Sequence, residues 1–467
     1  MTPSWIERLR NEVGTDRVIN EEAEISRYSY DWWPVAAKWR QQGKQPYRPD
    51  VVVRPKHVGE VSRLLSWASA NGVPVTPRGA GSSVTGAPLP MKGGISLDMS
   101  AMRSMLTLDE INLLVRVEAG MIGHELEEEL NARGYTLNHS PQSLRLSTVG
   151  GWVSTRATGH FSSRWGGIEN LIAALTVVLP TGELIKTKLA PRAAVGPELR
   201  ELFVGSEGTL GIVTDATLKM LPIAEHRGFE TVSCESIEAG LTAVRRIMRL
   251  DLRPFRVRLY DRDEARHLLR GEEAPGNILL IGFEGVEDVA KAEYSAAVDI
   301  CRAEDGKVLG PTTALAWMER RFDFSMVENL LEQPGGFAET IEVAHFWSGI
   351  LRTYNELKKV LAPLAVEVLG HFSHVYPQGT SLYMILLGKV EDEAAAEERL
   401  TKIWNVAMNR CLECGAAISH HHGVGLARLP YICQELGTSK LVLQRIKEAL
   451  DPAGVLNPGK LGLSQKQ

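Results

Sequence analysis

Cysteine, charge imbalance and long apolar runs are all scarce in this sequence, and each scarcity removes a class of protein. Five cysteines (Cys234, Cys301, Cys411, Cys414, Cys433) are few and odd in number for 467 residues. A reducing compartment is expected rather than a disulfide framework. Cys411 and Cys414 spell CxxC, but no second pair follows and the surrounding pattern is helical, so packed thiols are expected rather than a zinc or redox centre. Basic residues number 52 against 57 acidic ones, a net charge of -5 with no basic tail, so nucleic acid is not an expected partner. There is no run of 18 apolar residues, and MTPSWIERLRNEVG at the start has no apolar core of signal-peptide length. A soluble, cytoplasmic protein is expected, with any membrane contact peripheral. Internal repeats and low-complexity segments are also missing. The length suggests two or three domains, enough to bury a large cofactor.

What the sequence does have is glycine, concentrated in three turns of its first half. Residues 77–88 read PRGAGSSVTGAP. Gly79, Gly81 and Gly86 remove side chains where backbone N–H groups must approach a ligand, Ser82, Ser83 and Thr85 add short donors, and Arg78 adds charge. That is the composition of an anion cradle. No Lys follows the last glycine, as a Walker loop requires, and the spacing is not GxGxxG. A second cluster, PQSLRLSTVGGWVSTRATG, spans 141–159, and a third lies within LFVGSEGTLGIVTDATLKM at 202–220. Singly each matches an ordinary loop. Three of them in one half suggest one extended ligand crossing several loops.

Periodicity organises the rest. Residues 5–13 are helical, and a connector rich in Trp, Arg and Gln covers 31–45. Strand (51–55), helix (57–71) and strand (73–76) then deliver the chain into the first glycine loop. Strands at 94–97, 105–108 and 113–118 precede a helix at 124–133 and a further hairpin at 171–187. After Pro222 glycine thins out, and helices at 237–250, 286–304 and 392–411 alternate with strands at 256–260, 278–283, 366–372 and 380–387. This is a second domain on an antiparallel sheet. The expected division is an N-terminal helical and connector segment (1–48), a ligand-binding domain (49–222), a cap (223–415) and a C-terminal segment (416–467) returning to the first domain.

The residues able to carry chemistry lie mostly in the second half. ISHHHGVG (418–425) puts His420, His421 and His422 ahead of a glycine turn, and imidazole titrates near neutral pH unaided. On an extended segment His420 and His422 would share one face. Tyr383 lies on a strand. His371 and His374 precede it, with no acidic residue close enough in sequence to complete a metal site, so no metal is expected. Arg256 and Arg258 share a strand face, where paired arginines commonly meet an anion or an acidic neighbour. His139 immediately precedes the second cluster.

PRGAGSSVTG, then PxS with STVGGWVSTRATG, then GSEGTLGIVT, in this order, resemble the FAD-binding domain of the vanillyl-alcohol oxidase type (PCMH-type, FAD-linked oxidase). Within it, the second motif, ISHHHGVG and SHVYPQGTSLY most resemble the alkyldihydroxyacetonephosphate synthase family, closest over 50–222 and 373–425. The resemblance implies an α+β fold: a two-subdomain FAD-binding domain plus an α/β cap with an antiparallel sheet. FAD is expected to be noncovalent, because Ser82 stands where many relatives attach flavin to a histidine. Pro77, Arg78, Gly79, Ala80, Gly81, Ser82 and Ser83, with Gly86, are implied at the pyrophosphate. Pro141, Gln142, Ser143, Ser147, Thr148, Gly150, Gly151, Ser154, Thr155, Arg156 and Ala157, then Gly205, Glu207, Gly208, Gly211 and Ile212, are implied along the rest of FAD. The implied reaction exchanges the acyl group of acyl-dihydroxyacetone phosphate for a fatty alcohol through a flavin N5 adduct, as in ether-lipid synthesis, by a homodimer acting on a lipid-like small molecule. Tyr383 matches that family's acid/base tyrosine and His420, His421 and His422 its histidine cluster, while His139 and Arg258 match positions at or near the active site. His371 stands where the synthase has a phosphate-holding arginine, which opens the question of substrate. The same FAD domain also serves dehydrogenases of 2-hydroxy acids such as D-lactate or glycolate. Those carry a histidine metal site and an acidic residue before their last HG, and Tyr383 and the HHHG run count against them.

Overall fold

The computed structural model describes residues 5–270 and 275–463. Val51–Val53 is apolar throughout and wholly buried, as a strand covered on both faces must be. It runs parallel to Ile95–Asp98, which in turn runs parallel to Val75–Arg78, while Val18–Ile19 adds an antiparallel edge. The crossover is the helix Val58–Asn71, which turns Val61, Leu64, Leu65 and Ala68 inward and ends at Gly72 with φ 64, a conformation open to glycine without strain. Behind this sheet lies a five-stranded antiparallel one, in the order Met105–Asp109, Leu114–Glu118, Ile212–Lys219, Ile172–Val178, Leu184–Lys186.

The remaining large sheet has seven antiparallel strands, in the order Lys307–Gly310, His226–Cys234, Asn277–Gly285, Arg256–Tyr260, Glu367–Val375, Gly379–Lys389, Gly336–Phe346. Strand alternation divides its faces. Val257 and Leu259 join the main core with the helices Ile237–Arg249, Glu287–Ala303, Trp347–Leu361 and Glu393–Cys414. Tyr260 packs on the opposite face with Ile278, Leu280 and Trp317. Arg256 and Arg258 share that second face by the same alternation.

Most of the expected elements are present, and the differences have local causes. The second glycine cluster contains a helix, Val149–Thr155, capped by the Thr148 hydroxyl. Its Gly150 is required by packing, since a Cβ there would lie 2.8 Å from that of Ala119. The connector folds as the helix Pro34–Gln41 and packs on the cap, with Trp39 Nε1 donating to Glu397 at 2.8 Å and Lys38 Nζ 2.8 Å from Glu393. Partners more than 350 residues away leave no local signal. The strand Gly336–Phe346 and the helix Trp347–Leu361 were not anticipated. Among the described residues no helix is long and apolar enough to cross a membrane.

The chain end closes on the first loop. Leu456 bridges to Val75, Asn457 donates to the Glu207 carbonyl at 2.7 Å, and Lys460 Nζ donates to the Gly86 carbonyl at 2.5 Å. Buried Lys447 fixes this return through the carbonyls of Thr209 (2.8 Å) and Leu456 (2.6 Å) and the carboxylate of Asp451 (2.5 Å). Lys447→Met leaves the Asp451 carboxylate buried without its cation. The expected cost is about 3–5 kcal/mol, read as a lower urea midpoint.

Candidate active site

The ends of the two smaller sheets and the cap enclose a cavity of about 270 Å³. Pro77, Arg78, Gly79, Ala80, Gly81, Ser82 and Ser83 line it, together with Pro141, Gln142, Ser143, Ser147, Thr148, Gly150, Gly151, Ser154, Thr155 and Ala157, and Glu207, Gly208, Gly211 and Ile212. Three of the expected residues do not. Gly86 lies outside the lining; its N–H donates to Asp31 at 2.8 Å, and a Cβ on it would stand 2.9 Å from Leu426. Gly205 and Arg156 pack on each other, and Arg156 turns outward to Glu169 at 3.7 Å. Apolar walls gave little sequence signal: Trp32, Met99, Ala119, Trp152 and Val213, with Phe324 from the cap, were missed.

The glycine loops fit an extended phosphate-bearing ligand. A Cβ on Gly79 would stand 2.3 Å from Thr148 Oγ1, and one on Gly208 2.3 Å from Pro77 Cγ, so the three clusters touch through their glycines. Among the described residues, the N–H groups of residues 80–84 donate to no protein group. Free donors on a curved backbone form an anion-binding concavity. Half-buried Arg78 lies 5.0 Å over the Tyr28 ring and donates to the Tyr30 carbonyl, with Nη1 unpartnered. Glu207 spends its carboxylate on the N–H groups of Val424 and Gly425, tying the third cluster to the histidine loop.

That loop is wound around one carboxylate. Glu342 is fully buried and accepts from the N–H groups of His420 (2.5 Å), His421 (3.2 Å) and His422 (3.0 Å), from the Ser419 hydroxyl (2.9 Å) and from Arg428 Nη2 (2.9 Å). The segment is therefore bent, not extended, and the expected pairing of His420 with His422 is replaced. His421 and His422 line the cavity, while His420 turns away to Tyr376, with Nε2 2.7 Å from the phenol oxygen. His420 Nδ1 stands 2.9 Å from His421 Nδ1, and His374 stacks on His420 at 5.1 Å. Burial by itself would raise the Glu342 pKa, yet Arg428 and the neighbouring histidines hold the carboxyl well below its usual range. Donor atoms of Glu342, His420 and His421 lie within 4.8 Å of one another, close enough for a metal ion. The five hydrogen bonds to Glu342 already exceed the roughly four lone-pair sites of a carboxylate, so a cation would have to displace some of them.

Glu342 and His371 both stand opposite Tyr383 across the strands. Tyr383 lines the cavity, stacks on His371 at 4.9 Å and meets the His422 ring edge-on at 5.6 Å. Burial, with the charge of Glu342, outweighs the Thr340 hydrogen bond and Arg258, which pull the other way, and pushes the phenol up to about 12. His371 and Arg258 do not line the cavity. His371 Nδ1 lies 2.8 Å from Glu264 and 3.2 Å from Arg258 Nη2, one layer behind Tyr383. His139 also lies behind the wall, 4.6 Å from Trp152, with both ring nitrogens unpartnered; burial pushes it down to about 3.

Two small sheets joined at a cavity of glycine loops, under an antiparallel cap, define a flavoprotein of the vanillyl-alcohol oxidase type. Residues 49–188 match the family described as FAD binding domain, and 223–461 match FAD linked oxidases, C-terminal domain. The chain belongs to the FAD-linked oxidase family, and its cofactor is FAD, held noncovalently. It is 29% identical over 461 residues to alkyldihydroxyacetonephosphate synthase of Trypanosoma brucei brucei, covering 91% of this chain and 75% of that protein. It is 30% identical over 477 residues to the uncharacterized FAD-linked oxidoreductase YgcU of Escherichia coli (strain K12), covering 98% and 97%, and 26% identical over 490 residues to D-lactate dehydrogenase of Anaerostipes hadrus, covering 99% and 98%. A solved alkyldihydroxyacetonephosphate synthase structure shares the fold with a TM-score of 0.81, at 23% identity over 98% of this chain and 86% of that one.

The histidines make the folded state acid-sensitive. Burial is the largest cause that holds His421 at about 3, against an ordinary value near 6.5. Below about pH 6.5 the unfolded chain takes up a proton that the folded site refuses, so stability falls as the pH drops toward 3. His421→Gln should lose less stability than the parent between pH 6.5 and 4, by about 1.4 kcal/mol for each pH unit, as urea titrations at each pH would measure.

Proposed function

We propose that this chain is an FAD-dependent transferase similar to alkyldihydroxyacetonephosphate synthase, replacing the acyl group of acyl-dihydroxyacetone phosphate with a fatty alcohol. Residues 77–83 would hold the FAD pyrophosphate, and the lining residues of 141–157 and 207–212 the rest of the cofactor. The observation that carries the reading is the cavity wall opposite these loops: a half-buried tyrosine and two neutral imidazoles, beside a carboxylate whose hydrogen bonds leave it poorly placed to bind a metal. Bound FAD supplies a ring that can activate the substrate carbon without net electron loss.

The chain's own residues handle protons. At neutral pH the Tyr383 phenol is protonated, so it must first pass its own proton to a neighbouring imidazole; as phenolate it can then take a proton from the substrate carbon and later return one. His421 and His422, held at about 3 and about 4 mainly by burial, are neutral imidazoles with lone pairs free for the incoming hydroxyl proton. The reading carries with it a lipid-like substrate and a cytoplasmic homodimer in peripheral contact with a membrane.

A second reading, an FAD-linked dehydrogenase of a 2-hydroxy acid such as D-lactate or glycolate, is favoured by the end-to-end match to D-lactate dehydrogenase. Anaerobic mixing separates the two. Exchange of labelled fatty acid into acyl-dihydroxyacetone phosphate, with the flavin still oxidised at the end, is expected; full bleaching by D-lactate or glycolate would replace the synthase reading with the dehydrogenase. Tyr383→Phe should lower turnover on the order of 100-fold or more while the flavin spectrum is kept, and an active variant would remove Tyr383 from the mechanism.

A further inference from the structure

Behind the cavity wall, the cap carries more buried positive charge than its neighbours balance. Arg256 is fully buried, with its guanidinium 3.5 Å over the Trp317 ring. Its Nη1 makes a long contact, 3.3 Å, to the His160 carbonyl, and its Nε and Nη2 have no partner. Nε of Arg258, Nε of Arg321 and Nδ1 of His160 are also buried without a partner. The nearest carboxylate, Glu264, is 3.8 Å from Arg258, and burial pushes it up to about 7, so near neutral pH it offers only part of a charge. Burial, then repulsion from Arg258 and Arg321, holds the Arg256 pKa well below the ordinary arginine range.

The cluster borders the cavity at two points. Gln142, on the cavity wall, has Oε1 2.8 Å from His160 Nε2 and donates to the Arg321 carbonyl. Tyr383, also on the wall, stacks on His371, which contacts Arg258. A guanidinium withdrawn from water with open N–H groups is costly, and the ligand that best fills them is an oxyanion able to accept from several at once.

We propose that Arg256, Arg258 and Arg321 form a subsite for the anionic oxygen group of the substrate, a phosphate or a carboxylate. This rests on the reading of the cavity as a substrate site, and it gives the anion a place on the strand beside His371, which replaces the expected arginine. Arg256 is then a specificity-determining residue, and its aromatic platform Trp317 holds the guanidinium flat toward the anion.

Binding of inorganic phosphate and of succinate to the FAD-loaded full-length protein, by calorimetry, tests it without any turnover. Saturable binding of at least one of them is expected, weakened tenfold or more in Arg256→Gln with the flavin spectrum intact. Arg321→Gln, at the half-buried edge of the cluster, should weaken binding as well and carries the test if Arg256→Gln does not fold. Arg302→Gln, on a surface helix, should leave it unchanged. No saturable binding of either anion, or binding as tight in both cluster variants as in the parent, would overturn the subsite. Preference for phosphate fits the synthase reading, while preference for succinate keeps the subsite and moves the substrate to the hydroxy acids.

Discussion

The active-site wall depends on one buried carboxylate. Glu342 sits mid-strand between buried Ile341 and Val343, yet its charge is matched by Arg428 and by three consecutive backbone N–H groups from a loop nearly eighty residues further on. Removing one member of such a buried pair typically costs 3–5 kcal/mol because the other is stranded. The arrangement does more than stabilise. By taking all three N–H groups, Glu342 sets which imidazoles face the cavity, and by standing opposite Tyr383 in the strand register it places the phenol beside them. Arg428 closes the other side of the loop through the carbonyls of Ile418 (2.6 Å) and Gly423 (2.9 Å).

The cofactor side follows a different logic. There the wall is backbone, and three loops from distant parts of the chain meet through glycines whose missing Cβ atoms let Thr148 and Pro77 come close. Such contacts need support from below. Asp31 receives the Gly86 N–H, Lys460 donates to the Gly86 carbonyl, and Asn457 holds Glu207, so the N-terminal segment and the chain end brace the loops from outside the cavity. Asp31 is pushed up to about 6 and Lys460 down to about 8, in each case chiefly by burial, the mark of charges held where water is excluded.

These two logics explain what the sequence made legible. Glycine at a position where a backbone must come close is visible in composition, and Pro77 to Ser83, Gly150, Gly151 and Gly208 were read from it. Gly86 and Gly205 share that composition but lie behind the loops, and Arg156 turns outward to Glu169, distinctions only tertiary contacts make. Glu342 was invisible, because a lone glutamate among apolar strand residues has the pattern of a solvent-facing position. The histidine run was legible as chemistry but not as geometry, since the alternation rule assumes an extended backbone and the carboxylate bends it. Trp32, Met99 and Val213 were missed because an apolar cavity wall and an apolar core are written in the same residues. The helices Ile237–Arg249, Glu287–Ala303 and Glu393–Cys414 were read nearly to their ends, as strong periodicity allows, whereas Gly336–Phe346 and Trp347–Leu361 were not read at all.

The electrostatics of the wall set what the site can do. At neutral pH the Tyr383 phenol and the imidazoles of His421 and His422 are all uncharged, so any proton passed among them or to a ligand creates charge in a dry place. The surroundings are polarised for that event. Arg258 lies on the side of Tyr383 where His371 stacks and favours a phenolate, whereas Glu342 opposes a phenolate and favours an imidazolium on His421 or His422. Negative charge is therefore stabilised toward the arginines and positive charge toward the glutamate. A fixed field of this kind acts without reorganising at the moment of proton transfer, the condition under which buried charges lower a barrier most. It also ties the two halves of the cap together, since Arg258, one of the arginines that would hold an anionic substrate, also stabilises the phenolate when its proton is given up.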